Sequence, residues 1–298
     1  MSDAIGIPPA EIALKRRSRL AELFIRLVRE KPLGTVCGII ILILIFVAIF
    51  ANVLMPYPYD QAHIRDMMKG PSAQFLLGTD QLGRDSLSRL IYGARMSLLV
   101  GLTVTTISVG ISTLIGGSSG FLMGKFDMFL QRFCDAWECF PYLLILLTVM
   151  SIVGQGVVQI VLVMGISGGL GGSRIIRSAV IAIKENDYFL AAEAAGNPKW
   201  RAFLRHVIPN IMPVVIIAFT ISIGGVILSL ASLSFLGFGL PVETPDWGGM
   251  LSAEGRTYME HAPRIALFPG LALTLTVYCL NMFGDAMRDL LDPRLRGG

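Results

Sequence analysis

The sequence predicts an all-α, polytopic membrane protein with six transmembrane helices. Three observations support this prediction: the composition, the charge-free stretches, and the distribution of Lys and Arg. Of the 298 residues, 54% are hydrophobic and only 15% charged, and the mean hydropathy is +0.68. A soluble domain averages about a quarter charged residues, so the excess apolar surface must face lipid. This composition disfavours a soluble enzyme and a DNA-binding domain, and it excludes a disordered chain.

The charge-free stretches define the predicted spans, because a helix needs about 20 apolar residues to cross the hydrocarbon layer. The stretch over 139–173 is too long for one helix, and Gly154-Gln155-Gly156 divides it in two. The fifth span ends before a Gly/Pro-rich segment that does not continue a helix. The membrane domain over 34–298 is expected to have spans at 34–54, 97–123, 129–153, 157–176, 208–232 and 264–284, with an outer loop over 233–263.

The Lys and Arg residues set the expected orientation. Six spans place both termini on one side, and that side carries 18 of the 25 Lys and Arg residues. By the positive-inside rule, both termini and the loop between spans 4 and 5 are cytoplasmic, in a multi-pass protein of the plasma membrane. The arm over 1–33 contains a basic and apolar stretch from Glu11 to Glu30. It predicts either an amphipathic helix on the inner leaflet or an ordinary positively charged anchor.

The sequence shows no energy source of its own. Acidic residues lie near the span ends, whereas an ion-coupled carrier usually places them at mid-membrane, so a secondary transporter is disfavoured. The fragment Gly124-Lys125-Phe126 lacks the upstream glycine and the following Ser/Thr of a phosphate loop. The four cysteines and three histidines match no common metal spacing, and no catalytic set is evident. We therefore expect no cofactor, metal or catalysis in this chain, and a partner that supplies energy.

Small residues recur at four-residue spacing in three spans. Gly116, Gly120 and Gly124 form the longest such series, and Gly34 and Gly38 begin the first span. This spacing lets helices approach closely in lipid and predicts a packed bundle.

The loop between spans 4 and 5 predicts two short helices over 187–205. Asn186 or Asp187 suits a helix start, and Gly196 suits the left-handed position that ends a helix. Asn197 would then cap a second helix with Pro198 at its first position. Aromatic and basic residues lie among the apolar ones, which favours docking into a soluble partner's groove over a loop that merely returns the chain. The candidate contact residues are Tyr188, Leu190, Ala191, Ala192, Glu193, Gly196, Asn197, Trp200, Arg201, Arg205 and Pro209.

This loop resembles the coupling motif of binding-protein-dependent ABC importer permeases. The family pattern has Glu-Ala-Ala, three residues, Gly, and later a Leu-Pro-like pair. Ala191, Ala192 and Gly196 match it, as does Ile208-Pro209. Leu190 stands where the motif has glutamate, so this chain lacks that charged contact.

Further segments resemble one subgroup of these permeases, which imports dipeptides, oligopeptides and nickel. They are Gly78–Asp85, Gly93–Leu98, Ser232–Gly239, Trp247–Leu251 and Asn281–Pro293. Two of these regions also have a plain structural interpretation: Gly78–Ser97 could be an interfacial connector, and Trp247 an interfacial anchor. The long N-terminal arm and the ending resemble the second, C-type subunit of the subgroup.

The resemblance implies the function and the partners. The chain would be half of an import channel, paired with a B-type permease subunit. Two cytoplasmic ATPase subunits, which hold ATP and Mg, and an extracytoplasmic binding protein complete the importer; no nucleic acid is involved. Peptides are the expected cargo, and nickel chelates, glutathione and opines are alternatives.

Overall fold

The structure, a computed structural model, describes residues 19–291, with side chains from residue 25 onward except at 193, 253 and 254. Most of the predicted N-terminal arm and the end of the tail therefore lie outside the described residues. Within the described part the chain is helical and has no strand, which confirms the all-α class. The helices are α1 Arg19–Glu30, α2 Pro32–Ile49, α3 Ala51–Leu54, α4 Ser86–Leu122, α5 Gly124–Glu138, α6 Tyr142–Val153, α7 Val157–Lys184, α8 Asp187–Ala194, α9 Lys199–Ala202, α10 Ile208–Phe235, α11 Trp247–Gly249, α12 Gly255–Thr257 and α13 Arg264–Leu291.

Five helical stretches are long and apolar enough to cross a membrane, and a sixth crossing is possible if one bent pair counts as a span. The five overlap predicted spans 1, 2, 4, 5 and 6, but most run further. α4 begins at Ser86 because the Asp85 side chain caps it, accepting a hydrogen bond from the Ser88 backbone N–H at 2.8 Å.

The third predicted span differs from the structure. Instead of one helix over 129–153, α5 and α6 meet at a bend of 84°. Pro141 stands before α6, has no N–H to continue the α5 ladder, and disfavours helical backbone at Phe140. The 12 residues of α6 rise only about 18 Å, so α6 alone does not span the hydrocarbon layer.

Glycines allow α4 and α7 to pack with their backbones in close contact. A Cβ at Gly120 would lie 2.8 Å from the carbonyl oxygen of Arg177, and Gly116 faces the carbonyl of Ser173 in the same way. The predicted third member of this series does not take part. Gly124 has a φ of +64° with open space around it, and it begins α5 after the chain leaves α4.

The connections gather at the two ends of the bundle. At the α11–α12 end, Gln155 Nε2 donates to the Gly237 carbonyl at 2.5 Å. At the same end Arg264 donates to the carbonyl of Met68 at 2.7 Å. The opposite, α8–α9 end carries α5, α8 and α9. It also carries an ion pair between Lys31 and Asp289, which joins the first and last membrane helices.

Trp247 is buried at the α11–α12 end, so the prediction that it is an interfacial anchor is wrong. The side chain is 1% exposed, and its indole Nε1 donates to the Leu90 carbonyl at 3.1 Å. Gly93 makes room for it, since a Cβ there would lie 3.1 Å from the indole ring. Asp246 caps α11 by accepting from the backbone N–H groups of Gly248 and Gly249.

Buried charges hold the same end together. Asp80 accepts from Arg84 Nε at 2.6 Å and lies 3.4 Å from Arg89 Nε. These three side chains are all at most 7% exposed. The Asp80 carboxylate also accepts from the backbone N–H of Leu82 and Arg84. Burial raises the pKa of the Asp246 carboxyl nearby, and the N–H of Gly249 and the charge of Arg89 oppose that shift.

A second set of charges fastens α5 to α7 at the α8–α9 end. Arg177 holds Asp127 through two hydrogen bonds of 2.7 and 2.5 Å. One turn earlier on α7, Arg174 contacts Asp135 at 2.5 Å and Glu138 at 2.7 Å. These ion pairs hold α5 across the end of the bundle. The 84° bend between α5 and α6 sets the direction of α5 there.

Candidate coupling surface

The loop between α7 and α10 forms two short helices joined by a tight turn, as the sequence predicted. α8 ends in a Schellman motif, in which the Asn197 N–H donates to the Ala192 carbonyl at 3.3 Å. Gly196 has a φ of +78°, a conformation that side chains with a Cβ rarely adopt. Pro198 precedes α9 and is not its first helical residue, so the predicted capping by Asn197 is one position off. Asn186 directs its amide to the Ala182 carbonyl.

The second short helix runs into α10 through a π-helical turn, Phe203–Val207. Pro209 has no N–H to donate to the Arg205 carbonyl, and the wider turn lies where that bond is missing. The loop is therefore one piece with the membrane helix that follows it.

Aromatic side chains anchor the loop to the bundle. Phe189 is 3% exposed and packs edge-on against Phe121 at the end of α4, with ring centroids 6.3 Å apart. Phe203 contacts the same ring at 4.9 Å. Lys184 Nζ donates to the Phe121 carbonyl at 2.7 Å and lies 5.4 Å from its ring. A displacement of the loop must therefore move the ends of α4, α7 and α10 together.

The outer face of the loop exposes large apolar side chains. Trp200 is 62% exposed, Leu204 57%, Leu190 51% and Tyr188 44%. The Arg201 guanidinium lies 5.5 Å from the Trp200 ring centroid, a cation–π contact that orients the indole. We call these five residues the coupling surface.

The structure separates the predicted contact residues into an exposed and a partly covered set. Of the others predicted, Ala191, Gly196, Arg205 and Pro209 are exposed, whereas Ala192 and Asn197 are half-buried. Glu193 lies in α8, and its side chain is outside the described ones. Sequence reasoning missed Leu204, four residues after Trp200, and the anchors Phe121 and Lys184. Phe189, one of the aromatic residues interpreted as favouring docking, is instead a buried anchor. The four-residue spacing of Trp200 and Leu204 was a sequence signal that could have indicated Leu204. The contact with Phe121 joins segments that are distant in sequence, so no local pattern indicated it.

Comparison with known proteins agrees with this architecture. Residues 112–297 match a family described as the binding-protein-dependent transport system inner membrane component. Residues 18–71 match the N-terminal TM domain of oligopeptide transport permease C. The chain therefore belongs to the binding-protein-dependent ABC importer permeases, as a C-type subunit of the peptide/nickel subgroup, and it is a multi-pass inner membrane protein.

Similar proteins cover nearly the whole chain. A relative from Pectobacterium atrosepticum is 35% identical over 281 residues, which are 94% of this chain and 93% of the relative. Relatives from Escherichia coli O6:K15:H31 and Shigella boydii are each 36% identical over 275 residues, 92% of this chain and 90% of the relative. All three carry the name glutathione transport system permease protein GsiD. These relatives are transport permease subunits, consistent with a non-catalytic role for this chain.

Proposed function

We propose that this chain is half of the channel of an ATP-driven importer and that its coupling surface docks cytoplasmic ATPase subunits. The observation that carries the proposal is the exposure of Trp200 and Leu204 on a loop whose inner side is fixed to three membrane helices. Exposed aromatic residues of this kind are typical interface anchors. An exposed ridge on a stiff support can transmit a push from a soluble partner to the helices.

The α8–α9 end is then cytoplasmic, along with both termini. The coupling surface lies at that end, and most Lys and Arg residues belong to the same side. The α11–α12 end faces the extracytoplasmic binding protein. A B-type permease subunit supplies the other half of the channel. ATP and Mg are held by the two ATPase subunits, and this chain holds neither.

We propose small peptides as the cargo, glutathione among them. Glutathione is a peptide-like molecule, and the relatives reported above are named for its transport. Nickel chelates and opines are the alternatives, and a carrier driven by an ion gradient is the rival mechanism.

Reconstitution tests the cargo and the energy source together. The complete importer in liposomes, with its binding protein outside and ATP inside, should take up a labelled dipeptide or glutathione. Uptake should stop when ATP is omitted. Uptake of a nickel–histidine chelate, together with no uptake of any peptide, would contradict the proposed cargo. Uptake driven by a proton or sodium gradient in the absence of ATP would contradict the mechanism.

A paired substitution tests the docking. Trp200→Ala with Leu204→Ala should abolish co-purification of the ATPase subunits while the permease heterodimer still assembles. Val242→Ala is the matched control, since it removes a 75% exposed apolar side chain at the opposite end. That variant should retain both ATPases. Full ATPase retention by the double variant would show that the docking surface lies elsewhere.

A further inference from the structure

A cavity of about 370 Å³ opens between four membrane helices, α4, α7, α10 and α13. Its lining residues extend from the middle of these helices toward the α8–α9 end. Ser108 and Ser112 of α4, Gly172 of α7 and Ser222 of α10 contribute to its walls, and Arg288 of α13 lies near the end of its helix. The volume lies within the range of about 300–1,000 Å³ that small-molecule sites occupy.

The polar groups of this cavity suit an anionic ligand. Among the described residues, no carboxylate lies within 4 Å of the Arg288 guanidinium; the neighbouring Asp289 is bonded to Lys31 at 2.5 Å. Among the described residues that line this cavity, Arg288 is the only one with a charged side chain. A guanidinium that lines a mainly apolar cavity together with the hydroxyl groups of Ser108 and Ser222 complements a carboxylate, which a guanidinium can hold through two parallel hydrogen bonds.

The walls of the cavity are mechanically connected to the coupling loop. Ile176 of α7 and Val214 of α10 line the cavity, and both also pack in the hydrophobic cluster beneath the loop. That cluster contains Phe189 and Val207. Since α7 leads into the loop and α10 leaves it, a displacement of the loop changes the separation of two cavity walls.

We propose that this cavity is part of the substrate path and that Arg288 binds the carboxylate of the cargo as it passes. The proposal rests on the proposed function, and it narrows the cargo to small molecules with a free carboxylate, such as unmodified peptides. Arg288 is then a specificity-determining residue of the channel that acts after the binding protein has released the cargo.

The test compares a dipeptide with its C-terminal amide in the complete reconstituted importer. Initial uptake of each is measured for wild type, Arg288→Gln and Arg288→Lys, per assembled complex. Because one binding protein serves all variants, its own preference cancels when acid-to-amide ratios are compared between variants. Arg288→Gln should lower the ratio about tenfold or more, as expected for loss of charge-assisted hydrogen bonds. Arg288→Lys keeps the charge but not the two parallel N–H donors, so its ratio should lie between those of Arg288→Gln and wild type.

The controls separate a role in specificity from a role in folding. Lys125→Gln removes an exposed cation at the same end, outside the cavity, and should leave the ratio unchanged. A wild-type ratio in Arg288→Gln, or an equal fall in uptake of both compounds, would overturn the proposal. Failure of wild type to import any peptide would instead refute the proposed function.

Crosslinking gives a readout that does not depend on the Arg288 variants. A photoreactive phenylalanine at Ile217, in the cavity wall, should capture a radiolabelled dipeptide during turnover. The same group at Leu228, which is 51% exposed on α10, should not. Capture at Leu228 equal to that at Ile217, or capture of lipid alone at Ile217, would show that the cavity lies off the path.

Discussion

The two ends of the helix bundle differ in what they bury. At the α11–α12 end Asp80 and Arg89 are each 2% exposed, and Trp247 is 1% exposed. At the α8–α9 end the loop buries Phe189 but exposes Trp200 to 62%. At the first end Asp80 pairs with Arg84 and Arg89, and the Trp247 indole donates to the Leu90 carbonyl. The loop exposes apolar and aromatic side chains on a support that is fixed to the membrane helices. The buried cluster therefore contributes to stability, whereas the loop surface is the proposed docking site.

The largest expected effect is at the buried charges. Asp80→Asn removes the counter-charge of Arg84 and Arg89 inside a closed site, and we expect it to destabilise the protein by about 3–5 kcal/mol. Thermal unfolding of the purified heterodimer in detergent measures this loss. Lys69→Gln is the control at the same end, because it removes an ion pair with Asp66 whose lysine is 56% exposed. It should cost at most about 1 kcal/mol. Equal losses in the two variants would mean that the buried cluster is not specially important.

Substitutions at two aromatic residues of the loop, Phe189 and Trp200, should differ in their effect on stability. Phe189→Ala empties a buried position beside Phe121, so it should cost about 3–5 kcal/mol and also lower ATPase docking. Trp200→Ala removes an exposed group, so it should change stability by less than about 0.5 kcal/mol and still weaken docking. Unfolding and ATPase co-purification are measured on both variants. A strongly destabilised Trp200→Ala would contradict the division into an inner anchor and an outer surface.

Substitutions at two glycines, Gly196 and Gly248, test the same contrast between coupling and stability through the backbone. Gly196→Val should cost about 1 kcal/mol, because a Cβ is disfavoured at its φ of +78°, while nothing within 4 Å obstructs it. Transport and stimulation of ATP hydrolysis by loaded binding protein should fall sharply. Gly248→Ala should destabilise the fold instead, since its Cβ would lie 2.5 Å from the carbonyl oxygen of Ala231. Leu190→Glu, which restores the family residue on an exposed position, should be tolerated better than Gly196→Val. Normal transport by Gly196→Val together with its loss in Leu190→Glu would refute the assigned loop geometry.

The smallest expected effect is on the pH dependence of stability, through Asp246. Burial raises the pKa of Asp246 in the folded protein, so folding favours the protonated carboxyl. Its contribution to stability is complete below the unfolded pKa of about 3.9 and is lost as the pH rises through the folded pKa. Asp246→Asn keeps an oxygen for the N–H groups of Gly248 and Gly249. This variant should lose less stability than wild type as the pH is raised from about 4 to 7. Parallel unfolding profiles for the two proteins would contradict the shift.

Local sequence signals located some features to within a residue. The turn at Gly196 was predictable because an alanine-rich helix that ends in glycine needs only nearby residues to define its conformation. The break before α6 had signals in Pro141 and in the charged residues of α5, but the predicted span over 129–153 ran across both. The burial of Trp247 had none, because the pocket that receives it depends on Gly93, which is 154 residues earlier in the chain and adjacent only after α4 is placed.

The sequence by itself determined the class of protein, the approximate spans and the position of the coupling loop. These follow from composition, charge and short-range backbone preference, which act along the chain. Only the tertiary structure decided which aromatic residues anchor the loop and which remain exposed. It alone showed that Asp80 pairs with Arg84 and Arg89 and that Arg288 lies at a cavity between four helices. Burial and charge pairing depend on which distant segments meet, and no local pattern contains that information.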